Sequence, residues 1–342
     1  MSVKPTLSTV ARAAGVSIPT VSQVMRGTGR ISAETRERVM SAANKLHYVP
    51  DSRAAAMRSG ENREIGFVIN QLGNPFNAEV ISGVVDQLEV DGYLVSIVDT
   101  RDDPERQNRQ IKSFIRHGRG GLLWVPALDT EEEVFDMLAA HRIPVVTFLR
   151  NVRPDLDHVG IRNAEATATA TRHLIELGHQ NIAYLGGTDD TLVRKERISG
   201  YQNVMADHGL SHGVVWKCED NKLAGMEAMN ALLAAHPDVS AVVCNGDMVA
   251  LGASLGLANA GLRPGLDVSV FGFDGIQDAA VSSPGLTTMA VSPRKLGQTL
   301  AQTLLERIKN PNGTPIVSEI SAEPIFRETT GAPIGKPKVS DM

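Results

Sequence analysis

The stretch "TLSTVARAAGVSIPTVSQVMRG", residues 6–27, decides the reading of this chain. Leu7, Val10, Ala11 and Ala14 recur at spacings of three and four, which places them on one face of a helix. Gly15 follows as the stop, because glycine accepts the left-handed backbone that ends a helix. Val16 plugs the turn. Ser17 is a good N-cap for a second helix, and Pro19 falls in its first turn, where the missing N–H costs little. Val21, Val24 and Met25 form the buried stripe of that helix. Ser32 caps a third, with Val39, Ala42, Ala43 and Leu46 expected inside. A helix, a short glycine turn and a second helix make a helix-turn-helix. Its second helix can lie in the major groove of DNA with its N-terminal side chains against base edges.

Charge agrees with that layout. The chain of 342 residues has a net charge of −5. Residues 1–60 carry nine Lys or Arg against Glu34, Glu37 and Asp51, a balance of +6, so the rest carries −11. A basic head on an acidic body fits a nucleic-acid module on a core with another task. Groove contact is expected from Ile18 and Pro19, whose apolar surface suits thymine methyls. Gln23 can pair with adenine through its forked amide. Thr6, Ser17, Thr20, Ser22, Arg26 and Arg30 are expected near the phosphates or the groove floor, and Arg53, Met57 and Arg58 to act from the Ala-rich "DSRAAAMRSG", residues 51–60.

From Ile65 onward short apolar runs alternate with helical patterns. Strands are expected in "IGFVIN" (65–70), "YLVSIVDT" (93–100), "GLLWVPA" (121–127), "PVVTFL" (144–149), "IAYLGG" (182–187), "VVWK" (214–217), "AVVCNG" (241–246) and "VSVFGFDG" (268–275). Helices fall between them, for example at 77–91, 164–177, 194–208 and 247–260. This alternation means parallel sheets covered on both faces. Eight strands in two runs of four suggest two α/β lobes, with a ligand in the crevice at the strand carboxyl ends. The expected division is a head at 1–47, a hinge at 48–61, a core at 62–331 and a tail at 332–342. The first lobe would take about 62–160 plus 290–325, and the second about 161–289.

No phosphate loop, HExxH, GxSxG or Cys/His cluster at metal spacing stands in the sequence, so no catalytic residue, metal or cofactor is expected. Cys218 and Cys244 lie in apolar runs, which excludes a disulfide framework and favours a reducing cytoplasm. No apolar run reaches 18 residues, so no membrane span is expected.

The head motif, followed by "RISAETRERVMSAANKLHYVP" (30–50), resembles the LacI/GalR family of bacterial transcription regulators. TL, VA, AGVS, TVS and a closing YxP stand in the family's register, and the resemblance runs to about residue 331. The stretches "HLIELGHQNIAYLGG", "RKERISGY" and "SAVVCNGDMVALGASLGLANAG" are similar to its maltose-regulon repressor subgroup. The resemblance implies an all-α head, a core of the periplasmic sugar-binding type, a homodimer on a palindromic operator and a small effector, by preference a neutral sugar. It also implies ligand contacts at Asn74, Phe76, Arg150, Arg197, Asn245 and Asp274. At Met57 the family has a Leu that wedges into the minor groove. Two departures stand in the cleft motifs: Leu149 where the family has an Asp before its Arg, and Gly246 where it has an Asn. A cytoplasmic solute-binding protein and a sugar-modifying enzyme are the competing readings. The first has no use for a groove-reading head, and the second lacks reactive residues.

Overall fold

The computed structural model describes residues 4–50, 62–188, 191–211 and 213–333. The chain divides into two units, residues 1–62 and 63–342. The expectations for Arg53, Met57 and Arg58, for most of the hinge and for the end of the tail lie outside the described residues.

The head is three helices: α1 (Leu7–Ala14), α2 (Ile18–Arg26) and α3 (Ala33–Lys45). Thr6, Ser17 and Ser32 cap them, each accepting a backbone N–H three residues on. Gly15 ends α1 at φ 65°, the left-handed angle expected of it. Val10, Val21 and Val39 are fully buried where the three helices meet. Leu46, expected inside, is instead the C-terminal cap of α3 and is 36% exposed. The helix stops one residue too early to turn it inward, and Tyr48 packs on the head core beyond it.

The body has twelve described strands rather than eight. The first sheet runs β11-β5-β4-β3-β1-β2, all parallel. Its strands are β1 (Glu64–Ile69), β2 (Leu94–Asp99), β3 (Gly121–Trp124), β4 (Val145–Phe148), β5 (Asp157–Ile161) and β11 (Val317–Ile320). The second runs β12-β10-β9-β8-β6-β7 and comprises β6 (Ile182–Leu185), β7 (Val214–Trp216), β8 (Ala241–Cys244), β9 (Ser269–Asp274), β10 (Thr287–Ala290) and β12 (Glu323–Ile325). Only β12 is antiparallel among the described pairings. The four strands missed are short or polar. "DHVGI" and "TTMA" carry too little apolar sequence to mark a buried strand, yet both lie mostly buried between neighbours. The end of the chain also departs from expectation: Glu323–Ile325 pairs with β10 in the second sheet instead of staying in the first lobe.

Helices cover both sheets. In the first lobe these are α4 (Pro75–Val90), α5 (Pro104–Arg116), α6 (Glu132–Ala140) and α12 (Pro293–Lys309). In the second they are α7 (Asn163–Glu176), α8 (Leu192–Asp207), α9 (Lys222–Ala235), α10 (Asp247–Asn259) and the short α11 (Gln277–Val281). The chain passes between the sheets three times, after β5, after β10 and after β11. The strand carboxyl ends that carry Asn70, Arg150, Asn245 and Asp274 all border one crevice.

Candidate functional sites in the head and the interlobe cleft

On the head, Ile18 is 47% exposed at the tip of α2, a place no packing demand explains. Pro19 beside it is exposed, as are Thr6, Ser17, Arg26 and Arg30, while Thr20, Ser22 and Gln23 are half-buried. Two of these polar groups serve the head itself. Ser17 Oγ accepts from Thr20 N at 3.3 Å and lies 2.8 Å from Thr20 Oγ1. Thr6 closes a capping box with Thr9. Arg26 Nε donates to Ser22 O at 3.1 Å, which lays its guanidinium along the helix. All nine expected contacts that fall on described head residues are thus at least partly accessible, and the helix that carries most of them is stably capped.

In the body two adjoining cavities, of about 380 and 120 Å³, occupy the crevice between the lobes and share Asn70, Arg150, Asp220 and Asn245 in their walls. The structure brings Asn74, Phe76, Arg150, Arg197, Asn245 and Asp274 together around the smaller one. Asn74 caps α4 by accepting from Phe76 N at 3.0 Å, and so turns the Phe76 ring onto Phe148, 6.2 Å away and nearly parallel. The larger cavity of about 380 Å³ adds Asp99, Asp102, Arg194 and Asn221. A third cavity of about 860 Å³ lies away from the crevice, at the amino ends of β4 and β5, and holds none of these residues. Of its three guanidinium groups, Arg153 and Arg307 are taken by Asp155 and Asp157.

Arg150 is 8% exposed and is held face to face by Asp102, Nη2 to Oδ2 at 2.6 Å and Nη1 to Oδ1 at 2.5 Å, with Nη1 also donating to Pro126 O at 2.8 Å. Such a two-pronged pair fixes the plane of the guanidinium. Leu149 therefore costs this chain no counter-charge, since Asp102 supplies it from the loop after β2. The backbone is left-handed on both sides of this pair, with φ of 58° at Asp102 and 61° at Leu149, and separately in the second lobe at Asp274, φ 117°. Left-handed backbone at residues other than glycine costs of order 1–3 kcal/mol each and collects at functional sites.

Arg197 and Asp274 both belong to the second lobe, with Arg197 Nη2 3.9 Å from Asp274 Oδ1. Arg197 is 5% exposed, its guanidinium 3.6 Å above the Phe273 ring. Its Nε donates to Asn163 Oδ1 at 2.9 Å and its Nη1 to the Asn245 carbonyl. Arg197 thus braces the floor as much as it faces a ligand. Burial pushes the Asp274 carboxyl well above its ordinary range, Arg197 draws it back, and Asp247 and Asp220 push it up again. Asp247, at the start of α10, accepts from Thr288 Oγ1 at 2.6 Å and from the Gly275 and Ile276 amides. Burial outweighs those bonds and brings its pKa to about 7. Asn245 Oδ1 accepts from Tyr184 Oη at 2.8 Å.

Residues 62–328 match the family described as periplasmic binding proteins and sugar binding domain of LacI family, and residues 6–51 match the bacterial regulatory proteins, lacI family. The chain belongs to the LacI family of bacterial regulatory proteins. It is 34% identical over 317 residues to the maltose regulon regulatory protein MalI of Escherichia coli K12, covering 89% of this chain and 93% of that one. It is 35% identical over 332 residues to the transcriptional repressor PurR of Vibrio campbellii, covering 95% and 98%. Among solved structures it resembles the transcriptional regulator CelR in complex with cellobiose at 28% identity, TM-score 0.71, covering 95% of this chain and 99% of that one. The fold is also that of the lac repressor dimer bound to operator, at 24% identity and TM-score 0.86, covering 96% and 100%. These relatives are regulators, and the chain is a regulatory protein, not an enzyme. No helix among the described residues is long and apolar enough to cross a membrane.

Sequence reasoning missed Asp102, Asp220 and Asp247. Asp247 was legible as an acid in the first turn of a helix that follows a strand. Asp102 and Asp220 stand in loops, where periodicity carries no signal.

Proposed function

We propose that the protein is a sequence-specific repressor that works in the cytoplasm as a homodimer on a palindromic operator and is released by a small, unphosphorylated, sugar-like effector. The observation that supports the effector most directly is the crevice. Six residues placed there by motif, from both lobes, surround one cavity. Arg150, the one guanidinium of the first lobe in that wall, is already matched by Asp102. A phosphate would have to compete with that carboxylate, so hydroxyl groups suit the site better. Two heads spanning two half-sites require a dimer, and the relative solved on its operator is a dimer. CelR was solved with cellobiose, which supports a sugar here.

Induction follows from linkage. A ligand moves DNA affinity only by its differential affinity for the two lobe arrangements. The test is a gel shift on palindromic operators selected from a randomised pool, with and without a sugar panel. Salt-dependent binding that a sugar relieves is the expected result. Binding that no panel member relieves, or that a member tightens, would overturn the inducer reading.

A further inference from the structure

Hydrogen-bond supply in the cleft is lopsided. Around the smaller cavity its guanidinium donors are spent on the protein: Arg150 on Asp102 and the Pro126 carbonyl, and Arg197 on Asn163, the Asn245 carbonyl and the Phe273 face. Acceptors are left over. Asn77 is 3% exposed and lines the smaller cavity. Its Nδ2 donates to Gln71 O at 2.7 Å, which fixes the amide's orientation, and its Oδ1 is buried with no partner. Asp220 Oδ1, in the wall of both cavities, is also buried with no partner. Buried acceptors without donors are uncommon and call for a ligand or an ion.

Asp220 and Asp274 converge on one small volume above Gly246. A Cβ built on Gly246 would lie 3.0 Å from Asp274 Oδ2 and 3.2 Å from Asp220 Oδ1. Only glycine fits there without crowding, and two carboxylates close over it, Asp274 from the end of β9 and Asp220 from the loop after β7. Arg197 stands 3.9 Å from Asp274 Oδ1, but its Nη1 and Nε are turned to other acceptors. Burial pushes both carboxyls above their ordinary range; Arg197 offsets this in part at both, and a hydrogen bond with the Asn245 side chain offsets it further at Asp220.

On the reading that the cleft holds the effector, we propose that the effector is an amino-bearing polyol whose ammonium group docks between Asp220 and Asp274 over Gly246. A primary ammonium brings three N–H donors and no acceptor. Bonds from it to carboxylates are charge-assisted and stronger than those from a neutral hydroxyl. Its charge balances the second carboxylate that Arg197 leaves unmatched. Hydroxyl groups of the same molecule meet Asn77 Oδ1. An anionic group at this point would face two carboxylates.

Isothermal titration of the full chain with matched pairs tests this: D-glucosamine against D-glucose, D-galactosamine against D-galactose, and the β-1,4 glucosamine disaccharide against cellobiose. The amine member of at least one pair is expected to bind at least about tenfold tighter than its hydroxyl counterpart. Asp220→Asn should erase that preference, and Gly246→Asn, which fills the volume, should abolish amine binding. Without ligand, Asp220→Asn is expected to raise the melting temperature, because it removes one of two facing buried carboxylates. A hydroxyl counterpart that binds as tightly overturns the ammonium seat and leaves the sugar-effector reading standing. If no member of any pair binds, both fall. A preference that survives Asp220→Asn, or a lower melting temperature for that variant, also overturns the seat.

Discussion

At Gln23 the local structure restricts what the side chain can do. It is half-buried on α2, and a Cβ on Gly29 would come within 3.0 Å of its Oε1. The amide therefore rests over the turn after the helix rather than swinging freely. A pre-positioned fork is suited to adenine. Gln23→Ala is expected to relax preference at one base pair per half-site by about 1–3 kcal/mol. Selection from a randomised operator pool reads that change, and an unaltered preference would show that α2 enters the groove in another orientation. Arg30, exposed past the helix, should instead weaken all sequences alike on mutation to Ala and flatten the salt slope. Deeper in the protein, His158 is 3% exposed, with Nδ1 2.9 Å from Thr147 Oγ1. Burial brings its pKa from 6.5 down to about 4, so the folded chain holds it neutral where the unfolded chain protonates it. Its contribution to stability is complete above pH 6.5 and is lost as pH falls toward 4. The share lost is about 3 kcal/mol for that shift. Asp247 has the opposite sign, because its raised pKa makes the fold bind a proton that the unfolded chain has released. An NMR titration should show the His158 imidazole uncharged at pH 5.5; an imidazolium at that pH would contradict its burial.

Helix pairing in the body depends on glycines that periodicity does not explain. α4 crosses α12 at Gly83 and Gly297, and a Cβ on either would run into the opposing backbone at Arg294 or Val80. α9 meets α10 in the same way at Gly225 and Gly252, and α7 meets α8 at Gly200. Glycine inside a helix costs about 0.5–1 kcal/mol relative to alanine, so in isolation Ala would be the better residue. Here close approach outweighs propensity. Gly297→Ala is expected to destabilise the body by about 1–3 kcal/mol, the usual range for overpacking. Gly261→Ala should cost through its φ of 77° and not through contact, since nothing lies within 4 Å of its Cβ. Denaturant melts of the two variants separate these causes: only Gly297→Ala should shift the α4–α12 amides in an NMR spectrum. These glycines also mark how far the sequence could be read. Gly200 and Gly252 stand inside the stretches "RKERISGY" and "GDMVALG", which carry the family resemblance, so the motif was legible while its steric reason was not. Capped helices and apolar strands were legible because local pattern encodes them. Strands β5 and β10, with Asp157, His158 and Thr287 inside them, were not, because their polar residues are satisfied only by distant partners. Asp157, for example, is held by Arg307, 150 residues on.

Across the whole body, three chain crossings join the lobes, which is the layout that permits hinge closure about a ligand. The crossing after β10 carries Ser292 at φ 51°, a left-handed turn immediately before α12. The cleft mouth also has a latch that no motif announced. Glu79 on α4 of the first lobe accepts from the Gln277 backbone amide, at the start of α11 in the second, at 2.9 Å. Both elements follow the carboxyl ends of their strands, so the bond spans the cleft side and holds the lobes together there. A carboxylate accepting from a backbone amide is a charge-assisted bond, worth about 1.5–3 kcal/mol when well formed and less at an exposed site such as this one. Glu79→Ala should therefore shift the lobes toward the open arrangement, weaken effector binding by roughly 3- to 10-fold, and leave operator affinity without ligand within about twofold. The loss arises because a ligand that selects the closed lobes must then supply the closing free energy that the latch contributed. Titration calorimetry with the effector, paired with a gel shift, measures both quantities. An unchanged effector affinity would mean that the bond forms equally in the two arrangements. Glu79→Gln retains an acceptor without its charge and should fall between wild type and Glu79→Ala; a Gln variant as weak as the Ala variant would assign the effect to charge alone.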